Sequence, residues 1–390
     1  MDYVKQARQI QPELVEMQHY LHQNAEIGFD LPLTVGFVTQ KLREYGYEPS
    51  IIGNNSVVAT VGRPGKTILL RADMDALPIV EETGLPYASV NGNMHACGHD
   101  FHTTILLGAA KLLKQTESAL DGTVKLFFQP AEETIKGCQD ALDHGLMENP
   151  RVDAALALHT AGGKKGEADI IVKRGTAQAS CDHYKISIQG KGSHGASPHN
   201  AIDPIVTGCH MVLALQNITA REINTQQPVV QTICKFAGGS AVNIIPESVE
   251  LLGTLRALDA EVRCLAKKRV AEIVDLTART FGAEAALEWL ASAPTVNNDG
   301  QMADAVVKYI GETDGITYKE SDEIGMGSED FALVMDLVPG AYISLVCVGD
   351  EDGKHPNGHG PFIIYDDDRL YIGAAAMALT AAGWLRDSLA

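Results

Sequence analysis

Two rhythms of apolar and polar positions run along this chain. Helical spacing of apolar residues holds from the start to about Tyr45, and the opening run MDYVKQARQIQPELVEMQHYLHQ has one apolar and one polar face. Short apolar runs follow, at Ser56–Val61 and in TILLRAD, where Thr67–Arg71 is strongly apolar. A helix is predicted from about His102 to Gln115, just past Gly98. After it come a strand at Gly122–Gln129 (GTVKLFFQ), a polar loop (PAEETIKG), a helix, and a strand at Ala154–His159. Strands that alternate with helices and end in polar turns predict a mostly parallel α/β sheet. Ligands bind beyond the carboxyl ends of such strands. The polar groups RADMD, QPAEE and LHT stand at three predicted ends.

Near Cys181 the rhythm changes. DHYKISIQGKG alternates with period two, as a half-buried antiparallel strand does. The loop SHGASPHNAIDP leads into a helix over about Asp203–Thr219. Two strands (PVVQTICKFAGG and SVELLGTLRAL), a helix over about Ala260–Phe281 and a strand at Glu284–Ala293 complete the segment. This β-α-β-β-α-β order is the ferredoxin-like pattern. The expected architecture is therefore an α/β domain with a mostly parallel mixed sheet, residues 1–181 and 293–390, carrying an inserted α+β ferredoxin-like domain, residues 182–292. The Ala-rich run YIGAAAMALTAAGWLRDSLA is expected to form a helix that covers the larger sheet.

Composition narrows the function. A chain of 390 residues fits two domains, and 45% apolar residues exclude disorder as its main state. Its 31 Lys and Arg against 50 Asp and Glu leave a net charge of −19, which argues against nucleic-acid and anionic-membrane partners. No run of 18 apolar residues marks a membrane span. The opening residues lack the apolar core and cleavage site of a signal peptide, so a cytoplasmic location is expected. Seven scattered cysteines without a CxxC form neither a disulfide framework nor a zinc ribbon.

Candidate chemistry is densest in Met94-His95-Ala96-Cys97-Gly98-His99-Asp100-Phe101-His102. Thiolate and imidazole both ligate zinc, nickel, cobalt or iron. On an extended stretch Cys97 and His99, two apart, point the same way. Glu132 and Glu133 follow an apolar strand. If extended they point in opposite directions, so one can bind metal while the other acts as a general base. His159 closes the run ALALH, and Asp75, past the TILLRA strand, is placed to orient a ligating histidine. His355 and His359 lie in a Gly-rich late loop. In the inserted segment His194 stands between glycines in a loop, and Arg256 is of the type that grips carboxylates.

These clusters occur in order with LLRADMDALPIVEETGLPYAS, GTVKLFFQPAEE, GKGSHGASPH, GGSAVNIIPESVELLGTLR, GMGSEDFA and HGPF. Nearly the whole chain resembles the M20 metallopeptidase family. Within it the chain is similar to the amidohydrolase branch of N-acyl-amino-acid amidohydrolases, hippurate hydrolases, N-acetyldiaminopimelate deacetylases and auxin-conjugate hydrolases. The resemblance implies a zinc-peptidase-like catalytic domain and an inserted lid or dimerisation domain. It implies two divalent metals per subunit (manganese, zinc, nickel or cobalt) on Cys97, His99, Glu133, His159 and His359. It also implies hydrolysis of the amide of a small N-acylated amino acid by metal-activated water, with Glu132 as general base. His194 is implied to stabilise the oxyanion in a neighbouring subunit's site, which makes a homodimer or a higher homo-oligomer the expectation. Asn243 and Arg256 are implied to bind the substrate carboxylate.

The departures are specific. Asp73-Met74-Asp75 stands where the wider family has His-x-Asp, and Cys97 stands where it has a bridging Asp. Phe362 comes one place early after His359-Gly360-Pro361, which makes His355 a rival ligand. A dipeptidase or aminopeptidase of the same family is the alternative within enzymes. A non-enzymatic binding protein on this fold is disfavoured because every catalytic position is filled.

Overall fold

A computed structural model describes residues 2–163, 168–349 and 358–388. The chain forms two compact units: Met1–Ala177 with Asn297–Glu323 and Asp330–Ala390, and Gln178–Val296 with Ile324–Glu329. Among the described residues no helix is long and apolar enough to cross a membrane.

The first unit is built on an eight-stranded mixed sheet. Its order is Ser50–Ile52, Ser56–Gly62, Thr123–Gln129, Thr67–Asp73, Ala154–Gly163, Gly340–Gly349, Ile170–Val172 and Tyr318–Glu320. The inner pairings of Thr67–Asp73 with both neighbours, and of Ala154–Gly163 with Gly340–Gly349, are parallel. Thr67–Asp73 is buried along its whole length, as a central strand covered on both faces must be. The initial helical rhythm resolves into two helices. Tyr3–Gln23 is capped by Asp2, whose side chain accepts from Lys5 N, and Pro32–Glu44 opens with a proline at its first position. Helices Tyr3–Gln23, His99–Gln115 and Leu370–Asp387 pack on one another, the last two also against Thr67–Asp73. They meet at Gly108, where a Cβ would stand 2.9 Å from both Ala374 and Leu14.

The second unit is an antiparallel sheet of four strands in the order Val229–Gly238, Ser248–Ala257, Cys181–Gln189 and Glu284–Ala293. The helices Pro204–Asn217 and Ala260–Thr280 pack on it. The alternation read in the sequence is realised: Tyr184, Ile186 and Ile188 share a core with Val249, Leu251 and Leu255. Both edge strands carry register shifts, at Ile233/Lys235 and Trp289/Ala291. Ile324–Glu329, which the sequence boundaries leave with the larger domain, belongs to this unit. Ala179 N donates to the carbonyls of Gly325 (3.2 Å) and Gly327 (3.0 Å), and Arg256 reaches the carbonyl of Met326.

Candidate active site

The His/Cys-rich segment is a turn and not an extended stretch. Gly98 adopts φ 83°, and the helix begins at once with His99. A Cβ at position 98 would lie 2.6 Å from Thr160 Oγ1, so both the backbone and the space require glycine. The period-two argument for Cys97 and His99 therefore does not hold. The turn nevertheless brings their ligand atoms within 4.8 Å of each other and of His159. The expectation for Glu132 and Glu133 is corrected likewise. Ala131 has φ 56°, so the two carboxylates lie in a turn past the strand Thr123–Gln129.

A second group, also within 4.8 Å, joins Cys97 to Glu133 and His359, and a third joins Glu132 to His99 and Glu133. Cys97 is thus common to two groups of donors. His159 lies inside the strand Ala154–Gly163 and not at its end. The neighbouring strand Thr67–Asp73, however, pairs with it only as far as Ala157. His359 sits at φ 65°, and its backbone N–H donates to Ala96 O at 3.3 Å, which ties the late loop to the Cys97 turn. His355 lies outside the described residues.

The electrostatics of the donors fit two divalent cations. His159 Nδ1 donates to the Thr160 carbonyl at 2.7 Å, which turns Nε2 towards Cys97 Sγ, 3.5 Å away. Burial alone pushes the Cys97 thiol up, but the charges of His159 and His99 and hydrogen bonds from His159 and His359 hold it well below the ordinary thiol range. Burial and the Cys97 sulfur push Glu133 upward. Both ring nitrogens of His99, and Oε1 of Glu133, are buried without a hydrogen-bond partner among the described residues. An anionic thiolate, a crowded carboxylate and an orphaned buried imidazole form the chemistry of a donor set that a cation completes.

Asp75 does more than the sequence reading assigns to it. Its carboxylate accepts the backbone N–H of Glu132 (3.0 Å) and of Glu133 (3.2 Å), and it stands 3.5 Å from His99 Nδ1. It therefore braces the turn that presents both carboxylates. Behind it lies a buried network absent from the sequence reading. Arg71 donates to Asp73 (2.7 Å) and Gln129 (2.9 Å), and Gln129 donates to Asp330 at 2.6 Å. The signal available was an arginine inside the apolar strand TILLRAD, which needs a buried anion.

The remaining candidates lie in the second unit. His194 and Asn243 come together there: His194 pairs with Ile244 in a two-stranded ladder, and Gly195 N donates to Asn243 O at 2.8 Å. Arg256 donates through Nη1 to Met326 O (3.0 Å) and Ser328 Oγ (3.2 Å).

The first unit, built on a mixed α/β sheet, thus brings two groups of possible metal ligands together around one cysteine, Cys97. Residues 69–382 match peptidase family M20/M25/M40. The chain belongs to that family and is a metal-dependent amidohydrolase. It is 37% identical over 360 residues to the N-acetyl-L-cysteine deacetylase of Bacillus subtilis, covering 89% of this chain and 83% of that protein. It is 35% identical to the hippurate hydrolase of Campylobacter jejuni, over 99% of this chain and all of the relative. Among solved structures, the Bacillus subtilis YXEP protein, described as a dinuclear metal-binding peptidase of family M20, superposes with a TM-score of 0.78. It is 32% identical, over 97% of this chain and 99% of that one.

Proposed function

We propose that the protein hydrolyses N-acylated amino acids to a carboxylic acid and a free amino acid. The observation that carries this reading is the sharing of Cys97 between two donor groups, with Glu132 beside them. In it Cys97, His99 and His159 would hold one divalent ion, and Cys97, Glu133 and His359 the other. Manganese, zinc, nickel and cobalt are all compatible with these donors. The ions, when bound, polarise the acyl carbonyl and acidify the attacking water.

The chain's own residues supply the rest. Glu132, 7% exposed, takes the proton of the attacking water on a carboxylate oxygen and passes it to the departing amine nitrogen. Asp75 keeps that carboxylate in place through the backbone of the turn. His194 donates to the developing oxyanion of a neighbouring subunit's substrate. Asn243 and Arg256 bind the substrate carboxylate, Arg256 with the N–H groups that its Nη1 contacts leave over. A homodimer through the second unit follows. Its support is the edge strand Val229–Gly238 and the exposed Val206, Leu213 and Phe236.

The test is a panel of acetyl-, benzoyl- and indole-acetyl-amino acids beside free-amine dipeptides. Protein stripped with chelator is reloaded separately with manganese, zinc, cobalt and nickel. Metal-dependent release of amino acid from the acylated compounds is expected. Turnover of dipeptides alone would replace this reading with a peptidase. Silence across the panel by protein holding two metals would overturn it.

A further inference from the structure

His102 belongs to the metal-rich motif, yet both its nitrogens are committed elsewhere. Nε2 accepts the Thr160 backbone N–H at 2.8 Å, so Nδ1 carries the proton and donates it to Asp73 Oδ1 at 2.6 Å. Arg71 fixes Asp73 from the other side at 2.7 Å. All three side chains are buried. The strand Thr67–Asp73 stops pairing at Ala157, so among the described residues the Thr160 amide beyond that point has no strand partner on that side. His102 satisfies it instead. The Thr160 carbonyl accepts the His159 Nδ1–H at 2.7 Å. The Thr160 hydroxyl donates to the Cys97 carbonyl at 3.1 Å, with His102 Nε2 3.3 Å away. One residue thus contacts, through three different groups, a buried anchor, the imidazole of His159 and the backbone of Cys97.

We propose that Thr160 is a positioning residue of the metal centre. Its carbonyl holds His159 in the tautomer that presents Nε2 towards Cys97. Its hydroxyl holds the Cys97 turn at the distance where thiolate and imidazole share one ion. His102 and Asp73 anchor it. Cys97 lies on a turn that takes φ 83° at Gly98, and because glycine reaches positive and negative φ about equally, contacts around the turn must select that conformation. The side-chain bond from Thr160 to Cys97 O is such a contact. The role rests on reading Cys97 and His159 as ligands of one ion. Partners that orient ligands in this way typically change metal affinity about 10–100-fold when removed.

Thr160→Val keeps the shape and removes only the hydroxyl, while Thr160→Ser keeps the hydroxyl. Both are compared with wild type after cobalt loading. The readouts are the thiolate-to-cobalt absorption band and cobalt affinity by chelator competition, with circular dichroism as the control for folding. The expected result is a wild-type band, a shifted or weakened band with at least about tenfold weaker cobalt binding in Thr160→Val, and recovery in Thr160→Ser. A wild-type band matched in position and affinity by Thr160→Val overturns the role of Thr160 and leaves the ligand reading standing. A wild type without the band overturns both. A second arm needs no variant. In cobalt-loaded wild type, the paramagnetically shifted Nδ1–H of His159 should exchange slowly with solvent. Exchange as fast as that of a free imidazole N–H overturns the proposal.

Discussion

Glu132 and Glu133 are adjacent in sequence, yet the turn that starts at Ala131 makes them unequal. Glu133 enters the group with Cys97 and His359, while Glu132 is grouped with His99 and Glu133. Glu132→Gln keeps the volume and removes the proposed base. Turnover should fall by roughly 10²–10⁴-fold, with the metal content by elemental analysis unchanged. Wild-type rates would remove Glu132 from the mechanism. Gly98→Ala faces two penalties, a left-handed backbone worth on the order of 1–3 kcal/mol and a Cβ 2.6 Å from Thr160 Oγ1. It should lower both melting temperature and metal retention, and a variant with wild-type values in both would contradict the turn described. At this scale the chemistry was legible as residue types and not as roles. Of the dense motif Cys97, His99 and His102 enter groups of possible metal ligands, His102 beside Asp73 and His99, but the nitrogens of His102 are already engaged. His102 is spent on Asp73 and Thr160, and Asp100 on His22 and Gln18 at 2.7 Å each.

Strands and helices were read more securely than turns, because their signal is periodic and local. The strand Glu284–Ala293 and the start of the helix Ala260–Thr280 fall where the pattern puts them. What ties elements together is less visible. Asp182, at the start of the strand Cys181–Gln189, accepts from Arg263 Nε (2.7 Å) and Nη2 (2.9 Å), from Lys267 Nζ (2.6 Å) and from Ser292. This pins the helix Ala260–Thr280 and the strand Glu284–Ala293 to the sheet. Burial pushes the Asp182 carboxyl up, but these hydrogen bonds and the charge of Arg263 outweigh it and lower it below the ordinary carboxylate range. A carboxyl lowered on folding adds stability that is present above its unfolded value, near pH 4, and is lost as pH falls through its folded value. Urea unfolding of the second unit can be followed by Trp289, which lies beneath Lys267 with Nζ 4.4 Å from the ring centroid. The acid-side loss of stability should flatten in Asp182→Asn. An unchanged pH slope would show that Asp182 does not carry it.

For the molecule as a whole, the donor groups draw residues from positions 73 to 359, so bound ions would join segments distant in the chain. An unfolded chain cannot gather them. Ions held by the native state alone therefore stabilise it, by about 2.7 kcal/mol per site at a free concentration a hundred times the Kd. Chelator-stripped protein should melt at a lower temperature, and the midpoint should rise with added metal in a concentration-dependent way. A midpoint indifferent to metal would count against sites formed on folding. Sedimentation tests the proposed dimer at the same scale, and a fully active monomer would remove the cross-subunit role proposed for His194.

The order of elements, the two sheet types and the residue types of the site were determined by the sequence, because hydrophobic periodicity and ligand chemistry are properties of short stretches. Only the tertiary structure decided that Cys97 is shared, that Asp75 holds a backbone turn, and that His102 serves Thr160 while His159 faces the thiolate. Each of these depends on where a strand stops pairing or on a left-handed residue such as Gly98 or Ala131. Such a backbone choice is selected by contacts hundreds of positions apart in the case of His359 and Ala96, and no local pattern of apolar and polar residues encodes it.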